Sequence, residues 1–364
     1  MDNTTYRYDA LSKKYDGFTA PAYEVTVAGQ QLESSRFRID NLEVELVADG
    51  TAGGCSFTVE GMYDYEQGDW ADELLSLVTL GAKLTVSAGY VQQREVFYGY
   101  VDDFSLEFSG DGTPRLQVTG IDGLGYLMSC REPLYAGERP VREIVTEILK
   151  KSVRAGFARD VSVGTIPEFQ APLVKEQVDD WRFLNLLAQR CGATLQAVDG
   201  KLIFDTAMGQ TREILCLTMG VGLEQLQKRV SLARQVGQVE ILGRDVNQKP
   251  IRGTADSVSV GGSGRSAAQL VPAYAQTVLR EYSELARTEA ECQRLAQARL
   301  DGIAMELVSG SGQCVGIPEL VPGRYLKVDG GGEKLDGLYF LTRVRHLLSG
   351  DGYRTAFEFK GAKL

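Results

Sequence analysis

A single histidine, His346, stands in this chain of 364 residues. That count closes off much chemistry. Zinc sites built on paired histidines, HExxH helices and two-histidine acid–base schemes all need partners that the sequence lacks. A Cys–His or Ser–His nucleophile would have to use His346, which lies in the alternating run Tyr339 to Leu347 and reads as a structural or interface residue. Acidic pairs at Asp102-Asp103 and Asp179-Asp180 have the oxygen chemistry for calcium ligation or acid–base work. Neighbours on a strand point to opposite faces, so the first pair cannot share a substrate. The second is accounted for by helix capping and the helix dipole. Gly262-x-Gly264-x-x-Ala267 imitates a dinucleotide fingerprint without the βαβ unit that gives the fingerprint meaning, and reads as a flexible connection. No GxxxxGK[ST] loop is present. The six cysteines lack CxxC spacing and read as buried thiols. The 16 Tyr, 13 Phe and 2 Trp fall mostly at alternating strand positions, so core packing is favoured over sugar-stacking platforms. No catalytic, cofactor-binding or metal site is assigned, and the chain does not read as an enzyme.

The elements that carry these residues repeat. Gly81, Leu84 and Val86 open a strand that leads to Ser109-Gly110-Asp111-Gly112. Gly323, Leu326 and Val328 lead in the same way to Ser349-Gly350-Asp351-Gly352. After each SGDG comes a short alternating strand that stops at Gly120 or Gly361. Four features in one order at near-equal spacing indicate two related β-modules, and duplication points to assembly geometry before catalysis.

Alternation at Tyr23–Val27, Leu42–Leu46, Phe57–Val59 and Leu84–Val86, punctuated by Asp49-Gly50 and Gly53-Gly54, predicts short strands in a small antiparallel barrel or sandwich, with one short helix around Trp70–Leu80. At Pro140 the period becomes helical. Val141, Ile144, Val145, Ile148 and Leu149 share one face. A second helix follows Asp179 and ends near Gly192, then a hairpin turns at Asp199-Gly200. Strands resume from Gln235 to Val260, and Ser283–Leu307 carries the longest helix signal. The fold class is therefore β-rich α+β: two related antiparallel β-barrel, tube-like modules, a small α+β domain between them and a helical insertion in the second. The division is 1–20, an N-terminal extension; 21–125, the first barrel; 126–210, the α+β domain; and 211–364, the second barrel, split by an insertion at about 245–310.

Composition is ordinary, 43% apolar and 24% charged, and no stretch reaches the length of a membrane span. With no apolar leader, the expectation is a protein made in the bacterial cytoplasm that does not itself insert into a membrane. The net charge of −10 is uneven: residues 1–125 hold 8 Lys/Arg against 21 Asp/Glu. Such an acidic third repels phosphate, so no nucleic-acid recognition is expected.

Several ordered motifs resemble one family. They are Gly316-Ile-Pro318-Glu-Leu-Val-Pro322-Gly323, Leu335-Asp-Gly337-x-Tyr339, Val344-x-His346 and Gly352-Tyr353-x-Thr355-x-Phe357. To these are added Val96-Phe97-x-Gly99-x-Val101 with Leu116-x-Val118-x-Gly120-x-Asp122, then Asp180-Trp181-x-Phe183, then Val239 through Lys249 at the expected start of the second barrel. Over about residues 20–364 the chain resembles the phage late control D proteins, the baseplate hubs of contractile tails, whose fold recurs in the N-terminal part of type VI secretion VgrG spikes. The resemblance implies a homotrimer whose six barrels adapt a hexameric tail tube to a central spike. It also implies contacts with other baseplate proteins or with tape measure and cargo, and a place in the baseplate of a virion or injection particle. It supplies no catalytic residues and no cofactor. Gly99, Asp122, Trp181, Phe183, Pro318, Pro322, Gly323, Gly337, Tyr339, His346 and Tyr353 are its structural positions. VgrG-type spikes continue into an OB-fold and β-helix, whereas this sequence ends at Lys363-Leu364, so the spike is expected to be a separate protein. The other class to weigh is a trimeric β-rich module that recognises a surface glycan or receptor.

Overall fold

Strict alternation of apolar and polar side chains builds most of the molecule. Its computed structural model describes residues 4–32, 37–61, 63–108, 113–137 and 139–364. The first SGDG, residues 109–112, lies outside the described residues. After a short helix α1 (Tyr8–Lys14) come β1 (Ala22–Val27), β2 (Arg38–Val47) and β3 (Gly54–Glu60). A helical turn α2 (Asp72–Leu75) precedes β4 (Lys83–Gly89), β5 (Gln93–Glu107) and β6 (Arg115–Ile121). In β3 every second residue is buried, as the period-2 pleat requires. These strands lie in the order β1-β4-β5-β6-β3-β2.

The period then changes to that of helices. A turn of helix α3 (Gly123–Leu127) leads to α4 (Val141–Arg154), β7 (Asp160–Val163), α5 (Asp180–Cys191), β8 (Thr194–Val198) and β9 (Lys201–Asp205). Ile144, Val145, Ile148 and Leu149 of α4 share a core with Phe183, Leu184 and Leu187 of α5 and Phe204 of β9. Burying each such side chain contributes roughly 1.5–3 kcal/mol before entropy is counted. Asp179 caps α5 by accepting from Arg182 N at 2.7 Å. Asp180 does more than complement a helix dipole: it is buried and paired with buried Lys175 and with Lys151 Nζ, the latter at 2.7 Å.

The second barrel is built from β10 (Glu213–Met219), β11 (Gly222–Val230), β15 (Val308–Val315), β16 (Tyr325–Asp329), β17 (Gly337–Ser349) and β18 (Gly352–Gly361). Between β11 and β15 sit β12 (Gln238–Arg244), β13 (Pro250–Ala255), β14 (Val278–Tyr282) and helix α6 (Glu289–Ala304). Here the structure corrects the sequence reading. Val239–Lys249 does not begin the barrel; β12, β13 and β14 form a separate three-stranded sheet under α6. The insertion therefore opens after Val230, earlier than expected. Alternation reports a half-buried strand but not which sheet holds it. The 261–266 segment packs against Ala362 and Leu338, and Arg265 exchanges backbone hydrogen bonds with Leu364 at 2.7 and 3.0 Å.

The second barrel closes: β10-β16-β17-β18-β15-β11 returns to β10. All its main pairings are antiparallel except that β10 runs parallel to β16 and meets β11 in a short parallel contact. Its chain order and strand order match those of the first barrel. Among their register shifts, both have one at the corresponding place, between Val101 and Asp103 in β5 and between Leu341 and Arg343 in β17. Gly81 N donates to Val101 O at 2.8 Å, and Gly323 N to Leu341 O at 2.8 Å. Residues 99–108 of β5 and its end therefore correspond to 339–348 of β17. In the same way Val44 of β2 corresponds to Lys228 of β11 through their partners Cys55 and Gly310. The one reversal is the first strand: β1 is antiparallel to β4.

Candidate functional site

The two barrels are joined by strand pairing. β2 lies antiparallel to β17, with Leu42 opposite Leu348, Val44 opposite His346, Glu45 opposite Arg345 and Leu46 opposite Val344. One thirteen-stranded sheet therefore runs through both modules. On its inner face Leu42, Val44, Leu46, Val344, His346 and Leu348 are all buried. On its outer face Arg343 meets Glu45 at 3.0 Å, Arg345 meets Glu45 at 3.4 Å and Glu358 at 3.3 Å. Glu43-x-Glu45 on one strand and Arg343-x-Arg345 on another was the signal available in the sequence for this seam.

His346 anchors the seam from within. Its Nδ1 lies 2.8 Å from the Tyr353 hydroxyl and 3.4 Å from Thr355 Oγ1. The Tyr353 ring packs on Tyr90 of the first barrel, 5.8 Å between centroids, and Tyr90 donates to Gly316 O at 3.0 Å. Tyr15, just past α1, stacks on Tyr90 at 5.5 Å and donates to buried Glu319 at 2.6 Å, which Lys14 also meets at 2.8 Å. Burial drives His346 down to about 3 and pushes the Tyr15 and Tyr353 phenols up. All three are thus neutral and shielded near pH 7. The arrangement holds both barrels and α1 in one orientation. Tyr15, Tyr90 and Glu319 were not singled out by sequence reasoning, since their meeting spans hundreds of residues.

The α+β domain is clamped to each barrel. Gly50, at φ +88, ends β2 in a tight turn whose carbonyl accepts from Trp181 Nε1 at 2.6 Å and Asn185 Nδ2 at 3.1 Å. A Cβ on Gly50 would fall 1.7 Å from Asn185 Oδ1. Buried Asp122 caps α3 through Leu124 N at 2.7 Å and holds Gly53 N at 2.6 Å. Burial raises its carboxyl to about 7, against the downward pull of those two donors. Toward the second barrel, Gly323 at φ +76 lies so near Gln196 that a Cβ would approach its Oε1 to 2.4 Å. Pro318 and Pro322, which precede it in the chain, are buried.

The remaining motif residues serve cores. Gly99 lets β5 pass Ile121 O, which a Cβ would approach to 2.2 Å. Phe183 belongs to the α+β core, while Gly337 begins β17 and Tyr339 stacks on Phe359 at 4.4 Å. Asp102 and Asp103 are both exposed on a bulge of β5. All six cysteines are free; five are buried, and half-buried Cys216 lies 3.1 Å from Asp329 Oδ2. A cleft of about 710 Å³ separates α5 and α6 from the second barrel, lined by residues such as Asn185, Gln189, Tyr282 and Arg299. Arg299 is already paired there with Glu281 at 2.9 Å. Among the described residues no group of acidic, Cys or His side chains is arranged to hold a metal, and no helix is long and apolar enough to cross a membrane.

This double-barrel fold is shared with solved tail proteins. A 43 kDa tail protein of prophage MuSo2 from Shewanella oneidensis superposes with a TM-score of 0.67 at 15% identity, over 93% of this chain and 98% of its own. A tail protein from Neisseria meningitidis MC58 does so with 0.67 at 15%, over 94% and 97%. An E. coli component of the type VI secretion system gives 0.57 at 14%, over 93% and 76%. The resemblance read from the C-terminal and middle motifs thus holds for the fold. No curated protein matches the chain by sequence. Residues 20–350 match the model of the Alg8 N-terminal domain, and the chain belongs to that family.

Proposed function

We propose that this protein is the structural hub of a contractile injection particle, in the baseplate of a phage tail, a tailocin or an extracellular injection system. In this reading three copies form a ring that joins a hexameric tail tube to a separate spike protein. Other baseplate proteins, tape measure or cargo meet the same ring, which is assembled in the bacterial cytoplasm. The observation that carries the reading is the pair of barrels with five corresponding strands, joined edge to edge in one sheet. Closed rings need repeated complementary interfaces. Two like modules per chain let a threefold assembly present six similar surfaces to a sixfold tube. Similarity to the tail proteins and the type VI secretion component supports the setting. The test is size by light scattering, with electron microscopy after co-expression with a tail tube protein and a spike protein. A trimer that caps tubes is expected. A chain that stays monomeric and never joins such particles would overturn the proposal.

A further inference from the structure

The seam inside the chain has an unused counterpart on its outside. β17 pairs with β16 up to Phe340 and offers its later residues to β2. Its counterpart β5 pairs with β4 only from Gln93 to Tyr100. Beyond Val101, among the described residues, no strand lies on the side of β5 away from β6. β2 pairs with β3 on one side and β17 on the other. Its counterpart β11 pairs with β15, and touches β10 only at Gly222 and Leu223. The far side of Glu224–Val230 therefore has no partner strand among the described residues. Each barrel thus carries one half of the internal seam a second time, and both second halves are open.

We infer that β5 of one copy pairs antiparallel with β11 of the next, so that this free pair of edges is the contact between copies of this chain. Transferring the internal register sets Phe104 opposite Val230, Ser105 opposite Arg229, Leu106 opposite Lys228, and Phe108 opposite Leu226. The apolar face follows the internal pattern. Phe104, Leu106 and Phe108 stand where Val344, His346 and Leu348 are buried, and Leu226 and Val230 stand where Leu42 and Leu46 are buried. Leu106, Phe108 and Val230 are 44%, 57% and 47% exposed, and pairing would cover all three. Unpaired strand edges of this kind invite association. Charge follows the pattern too. The internal seam sets first-barrel Glu45 against second-barrel Arg343 and Arg345. The outer face of the open edges sets first-barrel Asp103 and Glu107 around second-barrel Arg229. The acidity of residues 1–125 thereby acquires a complementary surface, which favours head-to-tail docking over like-to-like contact.

The inference rests on the trimeric reading, since it names the strands that build it, and the experiment separates the two. The full-length chain is compared with Leu106→Lys and Leu106→Asp, which place like or opposite charge against Lys228 of the neighbour. Ser105→Cys/Arg229→Cys is oxidised alongside the unmodified chain. Light scattering and near-UV circular dichroism are recorded for each. The expected result is about tenfold or greater weakening of the trimer by Leu106→Lys, clearly less by Leu106→Asp, and a covalent trimer from the cysteine pair, with native folds throughout. A trimer that ignores both Leu106 substitutions and gives no cross-link overturns the seam while leaving the trimer standing. Cross-linked open polymers support the seam and overturn the trimer. A wild-type chain that is monomeric at all concentrations overturns both.

Discussion

The two barrels solve one packing problem in two ways. In the first, Phe57 of β3 faces Val118 of β6. At the corresponding pair of the second barrel, Gly312 of β15 faces Phe357 of β18. The large ring has changed strands, and the interior is filled from the opposite side. The neighbouring pair differs likewise, Cys55 with Gly120 against Gly310 with Phe359. The difference teaches that duplicated modules keep register and total volume while the identity of each position drifts, as close packing demands. The first strand shows a second freedom: β1 and β10 fill the same place in opposite directions, because one is entered from α1 and the other from the α+β domain.

The comparison breaks most sharply at the rings. Phe57→Ala should cost about 3–5 kcal/mol, read as a lower urea midpoint, and a loss under 1 kcal/mol would mean the first barrel is not packed around it. Gly312→Ala puts a Cβ 2.4 Å from the Phe357 ring and should cost about 1–3 kcal/mol. Exchanging the pair, Gly312→Phe with Phe357→Val, should recover part of that loss if the barrels are true counterparts. No recovery would mean their cores are not interchangeable.

Acid titration compares the two junctions. His346 protonates near 6.5 when unfolded and only near 3 when folded. Its stabilisation is complete above 6.5 and is lost as pH falls, by about 1.4 kcal/mol per unit at most. Asp122 goes from 3.8 unfolded to about 7 folded, so its contribution is complete below 3.8 and is lost as pH rises toward 7. Between pH 4 and 6.5 the two slopes oppose. Asp122→Asn should leave stability rising with pH, and His346→Leu should leave it falling, in urea midpoints taken across that range. Identical profiles for both variants would defeat the assignment. The smallest effect is expected at the surface of the seam. Glu45→Gln should cost under about 1 kcal/mol and lessen with salt, because Arg345 keeps Glu358 as a partner.

Much of the strand content was legible because alternation is local. The capped helix after Asp179 and the hairpin at Asp199-Gly200 were equally local, and both stand in the structure. The repeated Gly-x-x-Leu-x-Val starts located corresponding strands because their turns and inward residues recur. The seam was not legible. Alternation tells which face a residue takes, never which strand lies beside it, and β2 and β17 are about 300 residues apart. For the same reason β12 passed for a barrel strand: its pattern is that of any strand with one buried face. His346 was read as a structural or interface residue, yet its partners come from two other strands, Tyr353 and Thr355 from β18 and Val44 from β2.

Helix α1 carries a consequence in time. The segment before β1 is held by later residues: Thr5 donates to Glu213 O at 2.7 Å, Tyr6 N to Ile214 O at 2.7 Å, Thr4 O accepts from Arg324 at 3.1 Å, and Tyr15 reaches Glu319. During synthesis these residues emerge well before those second-barrel partners, and contacts of such long separation form late. The earliest segment made meets Tyr90 and Arg94 of the first barrel, but its docking is complete only once the second barrel exists. Its docking then marks a finished subunit, so the same few contacts that fix the angle between the barrels also report that both have been built.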